Sequence, residues 1–148
     1  MPYLNGPIGA GGAVVDVTVS VPALRASLLQ RHGFAVPEPV HIRALIDTGA
    51  TLSGFAPRVF TALDLKPLDT LSVLTPSTRP DAPHPFDRFQ VSLALIAEGR
   101  SCPFPDTLVI ATDCWLEDEG MEGLIGRDIL DRCFFQYLGL DRRFTLAF

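Results

Sequence analysis

From residue 13 to residue 21 the chain reads AVVDVTVSV, and the alternation of Val15, Val17, Val19 and Val21 with Asp16, Thr18 and Ser20 is the signature of a half-buried β-strand. A period of two cannot lay an apolar stripe along a helix. Strand-like runs recur at 40–46, 71–75, 89–96, 106–111, 133–138 and 142–148, set apart by segments rich in the chain's 13 prolines and 12 glycines. No long amphipathic helix interrupts them. Residues 57–63 and 127–132 read as one or two helical turns, and 22–39 as a connecting excursion that holds ALRASLLQRHG and ends in Val36-Pro37-Glu38-Pro39. The pattern predicts an all-β chain: a closed barrel with one short helix near the C-terminus.

A length of 148 residues fits one domain, expected over 13–148 behind a flexible arm at 1–12, or an edge segment there, rather than a regular element. Gly9, Gly11 and Gly12 in that arm precede a strand, whereas phosphate-binding loops lie between a strand and a helix. The runs at 71–75 and 89–96 form a hairpin over about 71–96 with a polar, Pro-rich tip, and 113–122 is an acidic loop with the single tryptophan, Trp115. A net charge of −5 argues against nucleic acid, whose phosphates need clustered Lys and Arg. Cys102, Cys114 and Cys133 are far apart with no Cys-x-x-Cys, and His32, His41 and His84 are scattered with no His-Glu-x-x-His, so neither metal nor cofactor is expected. No serine lies in Gly-x-Ser-x-Gly. With no secretory leader and no apolar run of membrane-spanning length, the expectation is a soluble cytoplasmic protein without a membrane partner.

The chemistry concentrates where the strand-like run Val40–Ile46 meets Asp47-Thr48-Gly49-Ala50. The tripeptide alone is weak, since roughly three chains of this length in a hundred would hold Asp-Thr-Gly by chance. An ordinary turn, with Asp accepting backbone N–H groups and Gly supplying positive φ, accounts for it equally well. The neighbours weigh against that bland reading. Ala44, Leu45 and Ile46 should bury the strand end, so Asp47 emerges partly desolvated, a costly position for a carboxylate with no task.

Ala44-Leu45-Ile46-Asp47-Thr48-Gly49-Ala50-Thr51 resembles the active-site strand and loop of retropepsin-like aspartic peptidases, and Gly123-Leu124-Ile125-Gly126-Arg127-Asp128-Ile129-Leu130 resembles their second signature. The two stand in the family's order with a hairpin between them, although their separation is long for a viral enzyme, which marks 113–122 as an insertion. The resemblance implies a retropepsin-type barrel active as a twofold homodimer, with Asp47 as catalytic carboxylate and a polypeptide as substrate. Water activation and carbonyl polarisation need two close carboxylates sharing a proton. This chain has one Asp-Thr-Gly, so the resemblance assigns the second carboxylate to Asp47 of a second copy.

By the same resemblance Thr48 bonds across the dimer axis, and Gly49 gives substrate room. Ala50 replaces a Ser whose hydroxyl would favour the charged carboxylate, which implies an optimum less acidic than that of pepsin. Thr75, Pro76, Ser77 and Thr78 are the candidate flap tip. Leu124, Ile125, Gly126, Arg127 and Asp128 form the structural signature: viral relatives pair the arginine with an aspartate just after the active-site motif, but Thr51 stands there in this chain, and an acid in a first helical turn needs no catalytic explanation. Candidate subsite walls are Leu52, Phe55, Phe86 and Ile125. The alternative is a catalytically silent dimer of the same fold that binds peptides or protein partners.

Overall fold

The computed structural model describes residues 1–74, 79–113 and 120–148. Strands β2 (Gly12–Ser20), β3 (Val40–Ile46), β4 (Gly54–Phe55), β6 (His84–Ala97), β7 (Arg100–Ala111) and β8 (Gly123–Ile125) close into a barrel in the order β2-β3-β8-β4-β7-β6 and back to β2. Closure comes from β2, which pairs with β3 along one edge and with β6 along the other, so that Val17 faces Ile42 on one side and Leu95 on the other. The alternation read in the sequence puts Val15, Val17 and Val19 inside, each at most 2 % exposed. Burying each such side chain contributes about 1.5–3 kcal/mol. Phe60 and Phe89 stack in the same core with ring centres 4.0 Å apart.

β5 (Asp69–Val73) extends the sheet as a hairpin with the first part of β6. At the other end β1 (Tyr3–Gly9), β10 (Arg143–Ala147) and β9 (Phe134–Leu138) follow β2 in that order. Among the described residues three short helices lie outside the ring: α1 (Ala23–Arg31), α2 (Pro57–Ala62) and α3 (Arg127–Leu130). The all-β expectation holds with short helices on three connections, rather than one near the C-terminus.

Two segments depart from the sequence-based expectation. The arm expected at 1–12 is a strand over Tyr3–Gly9, antiparallel to β10 with Tyr3 opposite Ala147 and Pro7 opposite Arg143, and Leu4 within it is fully buried. Glycine and proline there fit a tight site instead of marking freedom: a Cβ on Gly6 would stand 2.4 Å from the Phe144 ring. β7 also starts six residues before the expected Asp106, because Glu98 and Gly99 both take positive φ in a two-residue turn suited to a twisted hairpin. Pro103 and Pro105 are tolerated because β4 meets β7 only at Ile110 and Ala111, leaving an unpaired edge. A bulge between Val91 and Leu93 sets Pro105 and Asp106 against Ser92 alone, with Asp106 at positive φ.

Candidate active site

The Asp47 loop belongs to a local topology in which β8 lies between the two strands that the loop connects. β3 pairs parallel to β8, with Ile46 opposite Ile125; residues 47–53 cross over, and β4 returns antiparallel on the other side, with Gly54 opposite Leu124. The two sequence signatures are therefore one structural unit.

Asp47 leaves β3 with its N–H still donating to Ile125 O at 2.9 Å, so the strand pairing reaches the acid. Its side chain is half-buried, and Oδ1 accepts the Gly49 N–H at 2.8 Å. Ala50 N–H donates to Asp47 O at 3.2 Å and closes the turn. Among the described residues no hydrogen bond joins the Asp47 carboxylate to another carboxyl group. Thr48 and Gly49 are exposed at the tip.

The loop is clamped onto the start of α3. The first N–H groups of a helix have no partner within it; here the Arg127 N–H donates to Ala50 O at 2.9 Å and the Asp128 N–H to Thr51 O at 3.2 Å. Close approach makes Gly126 necessary, since a Cβ there would stand 2.7 Å from the carbonyl carbon of Leu52, in backbone that cannot step aside. Arg127 then reaches back, its Nη1 donating to Thr48 O at 3.0 Å and its Nη2 to Thr51 Oγ1 at 3.0 Å. Arg127 thus braces the loop through a carbonyl and the Thr51 hydroxyl rather than through an acid.

Ser53 and Asp128 make the connection that sequence reasoning missed. Ser53 is wholly buried; its hydroxyl donates to Asp128 Oδ1 at 2.7 Å and accepts the Gly126 N–H at 3.0 Å, while its own N–H donates to both Asp128 oxygens at 3.0 Å. Asp128 Oδ1 also accepts the Ile129 N–H at 3.0 Å. Asp128 thus acts as a buckle between the loop and α3. The available signal was its place two residues after Gly126, with Ser53 six after Asp47; nothing local links residues 75 apart in sequence.

Of the candidate subsite walls, Phe55 and Ile125 are fully buried in the core and line no surface, whereas Leu52 and Phe86 are half-buried. The hairpin expected at 71–96 is present, its register running from Asp69 opposite Arg88 to Val73 opposite His84. β6 begins at His84, earlier than expected; Pro85 fits because this end of β6 pairs with β5 alone. Thr75, Pro76, Ser77 and Thr78 lie outside the described residues, as do 114–119 of the acidic loop with Trp115. Among the described residues no group of three or more His, Cys, Asp or Glu side chains could hold a metal, and no helix is long and apolar enough to cross a membrane.

A crystal structure of a retropepsin-like aspartic protease from Rickettsia conorii matches this chain with a TM-score of 0.58 and 14% identity, covering 99% of this chain and 91% of that one. At that identity the likeness is one of fold, and the chain has a retropepsin-like barrel. No protein-family model and no curated protein sequence matches it.

Proposed function

We propose that the chain is an aspartic endopeptidase in which a water activated between two Asp47 carboxylates, one from each chain of a homodimer, hydrolyses a peptide bond. The observation that carries this reading is the Asp47 loop itself: a carboxylate at the end of a paired strand, oriented by Gly49 N–H and held by a clamp from the second signature. The likeness to a protease fold supports it.

With two such carboxylates face to face and one shared proton, the ionised one takes a proton from water as its oxygen attacks the scissile carbonyl carbon. The protonated one gives its proton to the carbonyl oxygen, forming a neutral gem-diol. The carboxyl group that took the water proton passes it to the amide nitrogen while the other, now ionised, takes a proton from a diol hydroxyl, so that the C–N bond breaks to leave a carboxylic acid and an amine. The β5–β6 hairpin is the element suited to close over a bound polypeptide. Thr48 would bond to its counterpart across the twofold axis. No cofactor or metal takes part.

Purified protein should cleave peptides in a pepstatin-sensitive reaction, and Asp47→Asn should reduce the rate by at least about 100-fold without lowering thermal stability. Cleavage that survives Asp47→Asn rejects the reading. Absence of cleavage by a folded dimer would leave the silent peptide-binding alternative.

A further inference from the structure

Strands β2 and β3 are adjacent and antiparallel, with Val19 opposite Val40, so a tight turn could have joined them. The chain instead leaves the barrel from residue 21 to 39 and builds α1, none of whose residues is buried. With only Arg25, Ala26 and Leu29 half-buried, packing offsets little of the helix's conformational cost. Leu24 and Leu28, at i and i+4 on one face, are 71% and 43% exposed, and with Phe34 at 65% and Leu68 at 60% they border a groove of about 740 Å³ between α1 and residues 64–68. Such an apolar seam is half of a helix–helix contact.

The groove's charge is opposite to that of the molecule. The chain carries a net charge of −5, yet Arg25, His32 and Lys66, the only lysine in the sequence, line this one groove against a single acid, Asp64. Arg25 donates through Nη2 to Asp64 O at 2.8 Å and lies 3.7 Å from its carboxylate, while Arg25 Nε is buried and has no hydrogen-bond partner among the described residues. A second copy docking the same face would bring two Arg25 and two Lys66 side chains into one contact with two Asp64 carboxylates to offset them, a net repulsive balance. None of the lining residues belongs to the Asp47 loop.

We propose that this groove is a docking site for an amphipathic helix of another protein, with apolar side chains at i and i+4 seated on Leu24, Leu28, Phe34 and Leu68 and acidic flanks facing Arg25, His32 and Lys66. The site is independent of peptide hydrolysis and would recruit a substrate or adaptor by a segment remote from the bond being cut.

The test is selection of a displayed library of 14-residue helical peptides, Leu fixed at i and i+4 and the flanking positions randomised among Glu, Lys, Gln and Ser, on the full-length protein. Glu should be enriched at the flanks. A selected Glu-rich peptide should bind wild type at least tenfold more tightly than it binds Lys66→Glu or Leu28→Asp, both at exposed positions where the fold is retained, as circular dichroism would verify. No enrichment, enrichment of Lys or neutral flanks, or equal binding to the variants overturns the proposal. So does sedimentation showing that wild type self-associates through this face, with dimers lost in Leu24→Asp/Leu28→Asp.

Discussion

Asp47 is the residue on which the proposed chemistry turns, but its position depends on Ser53, which touches no substrate in this account. Ser53→Ala removes a hydroxyl that both donates to Asp128 and accepts from Gly126 N–H, leaving a buried N–H without a partner. The expected cost is about 1–3 kcal/mol of stability, measurable by denaturant titration. Asp128→Ala should cost at least as much, because it strips acceptors from Ser53 and Ile129 together. Ala50→Ser, which restores a hydroxyl beside the acid, should move the optimum of the pH–rate profile to lower pH. A second residue-scale expectation concerns Cys102: burial first, then the nearby Cys133 thiol, pushes its thiol up to about 12 against the opposing effect of Arg132. It should resist iodoacetamide in the native state at pH 8 and react on unfolding, as mass spectrometry would show.

At the scale of elements, the hairpin proposed to act as a lid rests on one exposed ion pair at its base. Arg88 Nε donates to Asp69 Oδ1 at 2.8 Å, and this hydrogen bond holds the Asp69 carboxyl below the usual aspartate range. A lowered value stabilises the folded state above the carboxyl's unfolded pKa of about 4, and the contribution is lost as pH falls through the lower folded value. The hairpin base should therefore loosen in acid. Protection factors of β5 amides, taken relative to the intrinsic exchange rate at each pH, should fall below about pH 4 in wild type and already at neutral pH in Asp69→Asn, while those of β2 and β3 stay high. Elements were unequally legible in the sequence. β2 and β3 declare themselves by alternation and burial on one face. β7 hides its first six residues because Pro103 and Pro105 speak against a strand, and only an unpaired edge, a tertiary fact, makes them acceptable. α1 was foreshadowed as a turn or two, since Leu24, Leu28 and Leu29 pack into no core that would impose a clear stripe.

For the molecule as a whole, the parallel pairing of Ala44–Ile46 with Gly123–Ile125 emerges only in the structure, while the barrel was readable from the recurring strand-like runs. The Ser53–Asp128 buckle was not, because a hydrogen bond between short polar side chains leaves no trace in periodicity or composition. An enzyme assembled from two copies, each with one acid, should lose specific activity on dilution through its dimer dissociation constant, and a linear dependence of rate on concentration down to nanomolar protein would contradict the shared dyad. The β1–β10 pairing has a kinetic consequence. With Tyr3 opposite Ala147 and the Phe148 N–H donating to Pro2 O at 3.1 Å, this part of the sheet joins residues separated by almost the entire sequence. During synthesis β1 must wait, with Leu4 unburied, until β10 has left the ribosome, so a strand made long before its partner is among the last to find its place.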